Sequence, residues 1–316
     1  MYLTDQQISH FEEEGYVVVK DALSDGDLDP IIEEYTEHID TRARRLGAEG
    51  KLSRLYEEEP FGKRLASITA ETTEIYQDVD IMHFRGEATF NFLRNSHLID
   101  PIESLVGPEI TCSPIQHTRA KLPNKIIYQG IEAGGEEKFK QFLSENVAPW
   151  HQDAQVHLEE ADSTFILTVW LPLTDATLEN GCLHIIPHIH TRDRVYWSEG
   201  FGISEAHLPD EEGVVPLPMK KGDLLLMHKL TPHCSTLNKT GGIRWSMDLR
   251  YQKTGTPTGR AFWPDFTVRS RSNPASVLTD YVSWQQCWIE ALGKMPTDKR
   301  PGRKSRPDIL SCLICA

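Results

Sequence analysis

The sequence predicts an α+β protein in which helices gathered at the N-terminal end flank a β-rich core. Three observations carry that prediction. Residues 1–109 hold apolar side chains at helical spacing with capping signals, and from residue 110 short apolar and β-branched segments alternate with Gly, Pro, Asn and Asp. No internal repeat or linker separates the two parts. One domain is therefore expected, with a helical part at 1–109, a β core at 110–253 and a C-terminal extension at 254–316.

Taken in order, Thr4 and Gln7 form a capping box ahead of a helix that carries Ile8 and Phe11, and Gly15 can end it. "YVVVK" reads as a buried strand. Ser24 to about Leu46 is a second, charge-rich helix, and "EATFNFLRNSHLIDPIESLVG" a third helical region with a break near Asn95 and Ser96. The segments "EITCSPIQHTRAKLP", "STFILTVWLPL", "GCLHIIP", "DLLLMH" and "RWSMDLRYQ" then read as strands of an antiparallel sandwich or barrel. Residues 124–147, with a Gly-Gly pair and many charges, have the makeup of a lid or access loop, and residues 191–215 form a second long connection. "WQQCW" sets Trp284 and Trp288 at i and i+4, the apolar face of a C-terminal helix packing on the barrel.

Composition narrows the function. Hydrophobic residues at 39% and charged residues at 25% of 316 are globular values. The 47 acidic against 33 basic residues give a net charge of −14, which opposes attraction to phosphate backbones and anionic membrane surfaces, so neither nucleic acid nor membrane is expected as a partner. The polar, acidic start lacks the features of a secretory signal, and the expected compartment is the cytosol. Cys112, Cys182, Cys234, Cys287, Cys312 and Cys315 are scattered as reduced thiols would be, and the terminal C-x-x-C reads as a free tail.

The chemistry is concentrated in "APWHQDAQVH". Residues two apart on a strand share a face, so His151 and Asp153 can turn inward together while Gln152 faces away. His233, in "KKGDLLLMHKLTPHCSTLN", offers a third ligand. Two His and one carboxylate on one face of a metal, with the other positions open, is the arrangement of non-haem Fe(II) oxygenases. Arg244 follows across a turn at "NKTGG", and a hairpin would return it to the interior on a neighbouring strand. Its guanidinium can grip a carboxylate through two parallel hydrogen bonds. A dicarboxylate such as 2-oxoglutarate would then chelate iron at one end and meet Arg244 at the other.

"WHQDAQVH", "VWLPLTDATLENGCLHIIPHIH", "KKGDLLLMHKLTPHCSTLN" and "GIRWSMDLRYQ", with the opening "LTDQQISHFEEEGYVVVKDALS", resemble the phytanoyl-CoA dioxygenase family of Fe(II)/2-oxoglutarate oxygenases from about residue 3 to about residue 253. The resemblance implies a double-stranded β-helix (jelly-roll, cupin-like) core, Fe(II), 2-oxoglutarate and O₂ as cofactor and co-substrates, and oxidation of a C–H bond with release of succinate and CO₂. It also implies His151, Asp153 and His233 as iron ligands, Arg244 as the 2-oxoglutarate clamp, and Ser235, Thr168, Trp170 and Lys121 around the co-substrate. The sequence departs from the family where members usually carry a Pro-Gly-Ser-His turn, reading "PHIH" at Pro187–His190, and residues 124–147 have no clear counterpart.

The other readings are weighed on the same residues. His184, His188 and His190 share strand parity, yet Pro187 interrupts them and a structural turn is expected there. Gln116, Thr118, Trp150, His157 and Arg250 are candidate pocket residues for a small organic substrate, a second arginine suiting a carboxylate or phosphonate; for His157 a satisfied surface histidine is the competing reading. Asp153 favours hydroxylation over halogenation, because related halogenases carry a small residue in its place. A metalloenzyme or isomerase of similar barrel that does not use 2-oxoglutarate, and a catalytically silent binding barrel, stay open alongside. A monomer or homodimer is expected.

Overall fold

The structure is a computed structural model, and it describes residues 1–76, 78–132, 146–196, 202–204, 207–210 and 213–294. Helices α1 (Asp5–Glu14), α2 (Asp25–Ala48), α3 (Phe61–Glu71), α4 (Glu87–Phe92) and α5 (Ser96–Val106) precede the main run of strands, interrupted by β1 (Tyr16–Val19). The β region contains β2 (Glu109–Cys112), β3 (His117–Lys121), β4 (Ile166–Pro172), β5 (Leu183–Ile185), β6 (Val215–Leu217), β7 (Leu224–His228), β8 (His233–Ser235) and β9 (Arg244–Lys253). Helix α6 (Asn124–Glu132) follows β3, and β10 (Phe266–Ser270) and α7 (Tyr281–Lys294) follow β9.

The strands form two antiparallel sheets. One has seven strands in the order β1-β7-β4-β9-β2-β10, with β3 also pairing β9; the other has three, β6-β5-β8. Alternation along each strand decides what lies between the sheets and what lies outside. Leu167, Val169 and Leu171 of β4, Leu224 and Leu226 of β7, and Trp245, Met247, Leu249 and Tyr251 of β9 join Leu28, Ile31, Tyr35 and Ile39 of α2 in the larger apolar cluster. Their opposite-parity neighbours Trp170, Leu225 and Met227 join Leu183, Ile185 and Leu217 of the small sheet in a second cluster. The same inward face of β9 presents Arg244, Ser246, Asp248 and Arg250, so the space between the sheets is apolar on one side and polar on the other.

The helices are fixed to the large sheet by specific contacts. Trp245 stacks on Phe61 of α3, with ring centroids 4.6 Å apart, and packs against Tyr35 of α2. Tyr251 Oη donates to the Leu93 carbonyl after α4. Trp284 and Trp288 of α7 are buried against Phe90 and Trp263 respectively. The capping box of α1 is present, with Gln7 N donating to Thr4 Oγ1 and Thr4 N to Gln7 Oε1, and Gly15 takes the left-handed conformation at φ 80° that ends the helix.

Several local expectations are corrected. The turn at residues 238–242 does not close a hairpin: β8 pairs β5 in the small sheet and β9 pairs β4, β3 and β2 in the large one, so this segment crosses between sheets. β1 is an edge strand, with Val17 and Val19 buried in the larger cluster and Tyr16 and Val18 only partly covered. Helix α3 escapes the sequence reading because Pro60 at its N-cap gives no side-chain cap. The lid reading of residues 124–147 falls mostly outside the described residues, the connection at 191–215 falls outside them in part, and Cys312 and Cys315 lie entirely outside them. Among the described residues no helix is long and apolar enough to cross a membrane.

Candidate metal centre

His151 and His233 meet through an isolated antiparallel bridge, His151 N donating to His233 O at 3.0 Å and His233 N to His151 O at 2.9 Å. Each ring is oriented by a backbone carbonyl: His151 Nδ1–H donates to Pro149 O at 2.7 Å, and His233 Nδ1–H to Thr231 O at 3.0 Å. A proton on Nδ1 puts the lone pair of each neutral imidazole on Nε2, the atom that can ligate. Asp153 Oδ1 lies 3.9 Å from His151 Nε2 and 4.0 Å from His233 Nε2.

Sequence reasoning placed His151 and Asp153 on one continuous strand. The structure differs: Asp153 opens a 3-10 turn, Asp153–Val156, and the chain turns there rather than extending. Gln152 between them is fully buried, its Nε2 donating to Leu230 O at 2.6 Å and its Oε1 accepting from Tyr196 N at 2.7 Å. These bonds anchor the turn from the side away from the two ligands.

Among the described residues His151, Asp153 and His233 are the one group of metal-ligating side chains, all buried, with ligand atoms within 4.8 Å of one another. Two imidazoles and a carboxylate are an N/O set suited to ferrous iron, and no fourth His, Cys, Asp or Glu among the described residues closes the site. Electrostatics agree with the chemistry. Burial, and then the neighbouring His233, lower His151 to about 3, which keeps it neutral. Burial would raise Asp153, but Arg250, His233 and His151 outweigh it and hold the carboxyl below its usual range, so it is an anion.

Arg244 begins β9, opposite Lys121 in the β3 register. It is buried, its guanidinium carbon 5.2 Å from the centre of the Trp170 ring, and its Nε and Nη1 have no hydrogen-bond partner. Burial lowers Arg244 to about 10, and burial followed by the Arg244 charge lowers Lys121. The unsatisfied N–H groups of the buried Arg244 are what an anionic ligand would satisfy, and Lys121 opposite it donates to Asn146 O. Ser246, two residues along the same face, has a buried hydroxyl with no partner and was missed in the sequence. Thr168 and Trp170 face inward from β4, and Ser235 lies two residues beyond His233, its Oγ accepting from Ala148 N at 3.2 Å.

The five candidate pocket residues part company. Arg250 is an ion-pair partner of Asp153 and Asp248 rather than a group open to substrate. Thr118 pairs with Met247, on the outward side of the sheet, and accepts a hydrogen bond from Tyr35 Oη at 2.7 Å. Gln116 is spent on the backbone, Nε2 donating to Ser113 O at 2.6 Å and Oε1 accepting from Arg250 N at 3.2 Å. His157 is buried, not on the surface, with Nδ1 on Thr258 O at 3.0 Å and Nε2 without a partner; burial lowers it to about 3. Trp150 is half-buried, its carbonyl accepting from Ile203 N at 2.6 Å.

The histidines near Pro187 are structural. His188 Nδ1 bonds Glu13 O at 3.1 Å and His190 Nε2 bonds Glu12 O at 3.1 Å, tying the turn to the end of α1.

The family described as phytanoyl-CoA dioxygenase (PhyH) matches residues 11–246. The chain belongs to the phytanoyl-CoA dioxygenase family. That family comprises Fe(II)- and 2-oxoglutarate-dependent oxygenases. Among its members, phytanoyl-CoA dioxygenase domain-containing protein 1 of Danio rerio is 28% identical over 262 residues, covering 77% of this chain and 87% of that one. The peroxisomal phytanoyl-CoA dioxygenase of Homo sapiens is 23% identical over 257 residues, covering 79% and 68%. A solved apo structure of the non-heme monooxygenase ThoJ superposes with a TM-score of 0.59 at 17% identity, covering 90% of this chain and 94% of that one, and shares its fold. The fold is a jelly roll with helices, and the cofactor and co-substrate of the family are iron and 2-oxoglutarate.

Proposed function

We propose that this family member hydroxylates a C–H bond of a small organic substrate, converting 2-oxoglutarate and O₂ to succinate and CO₂ as one oxygen atom enters the product. The observation that carries the reading is the buried pairing of two Nε2-presenting histidines with Asp153. Ferrous iron held by His151, Asp153 and His233 supplies O₂ activation and the oxidising power for the C–H bond.

The chain's own residues do the rest. Arg244 binds the far carboxylate of 2-oxoglutarate in the fork of its guanidinium, with Trp170 beside it and the Ser246 hydroxyl available to add a third bond. Lys121, the register partner of Arg244, stands beside that carboxylate, and Ser235 and Thr168 complete the polar wall. Asp153, by being a carboxylate and not a small residue, keeps its coordination position for itself, which supports hydroxylation over halogenation. The buried ligands exclude bulk water from the reacting centre.

The test is substrate-stimulated succinate release. Protein loaded anaerobically with Fe(II) and 2-oxoglutarate is exposed to labelled O₂ with a panel of small organic acids, alcohols and amides. The expected result is one labelled oxygen in a product, one succinate per product, and no turnover in Asp153→Ala. A rearranged or desaturated product without label would replace hydroxylation by another outcome.

A further inference from the structure

The two oxygens of Asp153 are held from two strands that oppose each other. Thr168 on β4 is the register partner of Arg250 on β9. Thr168 Oγ1 donates to Asp153 Oδ2, and Arg250 Nη2 donates to Asp153 Oδ1 at 2.8 Å. Oδ1 is also the oxygen nearest the two imidazoles. A carboxylate oxygen has two lone-pair directions, so Oδ1 can accept from Arg250 and still point a lone pair toward the histidines. Turning the carboxylate about its bond would break both holds at once.

A guanidinium next to a metal ligand would ordinarily oppose the metal's charge. Here Asp248, two residues before Arg250 on the same face, sets Oδ2 3.1 Å from Arg250 Nη2. The triad Asp153, Arg250 and Asp248 then sums to one negative charge, the same as a lone carboxylate. The cation aims the ligand and a second anion cancels its repulsion. All three groups are largely removed from solvent, with side-chain exposures of 1%, 3% and 20%, so the charges act on each other with little screening.

Building on the proposed iron site, we infer that Arg250 is a positioning residue for the metal-binding carboxylate and that Asp248 is its neutralising partner. Neither residue touches the reacting atoms. Arg250 fixes which oxygen of Asp153 faces the two imidazoles, and Asp248 keeps the local charge favourable to a divalent cation.

The test reads metal affinity directly. Metal-free protein is titrated with Co(II), followed by its visible absorption, and with Fe(II) under anaerobic conditions. Arg250→Met is expected to weaken binding roughly tenfold to hundredfold. Arg250→Lys, which keeps the charge and a donor, should recover part of the loss. Asp248→Asn, which leaves the guanidinium uncompensated, should weaken binding in the same direction. Circular dichroism reports whether each variant folds; if Arg250→Met does not, Arg250→Lys and Asp248→Asn decide. Wild-type affinity in the folded variants overturns the inference, and tighter binding in Arg250→Met would make the guanidinium a competitor of the metal. A wild-type protein that binds neither metal overturns the iron site itself, whereas a wild type that binds beside unchanged variants overturns only the role of Arg250 and Asp248.

Discussion

His151 and His233 exchange both of their backbone hydrogen bonds, at 3.0 and 2.9 Å, and their rings lie 4.2 Å apart. The ligand pair is therefore set by main-chain pairing between residues far apart in sequence, and the side chains only have to be aimed. Because the bridge survives loss of the imidazoles, His151→Ala and His233→Ala should remain folded while losing metal. Metal analysis after equilibration with Fe(II) checks the second point. Thermal unfolding of the metal-free variants checks the first, with a midpoint shift expected to be no more than about 4 °C, the equivalent of roughly 1 kcal/mol.

Arg244 has buried N–H groups with no protein partner, a costly arrangement unless a ligand satisfies it. Arg244→Ala is expected to weaken 2-oxoglutarate binding about tenfold to hundredfold, in line with hydrogen bonds between charged groups. Arg244→Lys should restore little, because an ammonium cannot present two parallel donors. Isothermal titration with 2-oxoglutarate in the presence of Co(II) measures both, and metal affinity should be unchanged.

Thr118 provides the opposite case, a residue whose polar atom faces the helices. Thr118→Val leaves Tyr35 Oη, fully buried, without its acceptor. The expected cost is about 1–3 kcal/mol in urea unfolding, with kcat and KM for 2-oxoglutarate unaltered. A changed KM with unchanged stability would return Thr118 to the pocket.

His228 makes the fold sensitive to acid. Burial, then the charges of His190 and Lys229, lower it from the ordinary 6.5 to about 3, and its Nδ1 accepts from Leu230 N at 3.1 Å. The unfolded chain takes up a proton near 6.5 that the folded chain refuses until about 3. The contribution is thus complete above 6.5 and is lost as the pH falls toward 3, by up to about 1.4 kcal/mol per pH unit. Urea unfolding between pH 7 and pH 4 should show this slope added to those of His151 and His157, which burial also lowers to about 3. His228→Asn, which keeps an acceptor for Leu230, should make the total shallower by the share of one histidine.

What the sequence made legible was residue type and order. His151, Asp153, His233 and Arg244 could be singled out because few side chains ligate iron or clamp a dicarboxylate, and the breaks around Asn95 and Gly15 were written in capping residues. Parity was legible only within an unbroken strand. The bend after Cys112 resets it, so Thr118 lies outward while His117 and Arg119 face inward opposite Asp248 and Ser246. Alternation of Arg244, Ser246, Asp248 and Arg250 in "RWSMDLRYQ" was a signal for the inward face of β9 that could have been used. The bond between Arg250 and Asp153 had no such signal, because it depends on how a 3-10 turn meets a strand 97 residues away. The crossing from β8 to β9 was likewise hidden, since a Gly-Gly turn looks the same whether it closes a hairpin or joins two sheets.

The most direct measurement is anaerobic addition of 2-oxoglutarate to the Fe(II)-loaded protein, followed in the visible region. The expected result is the weak charge-transfer absorption of an iron-chelated keto acid in wild type, absent in Asp153→Ala and requiring much more 2-oxoglutarate in Arg244→Ala. No absorption in wild type, at concentrations that saturate metal and keto acid, would contradict the account.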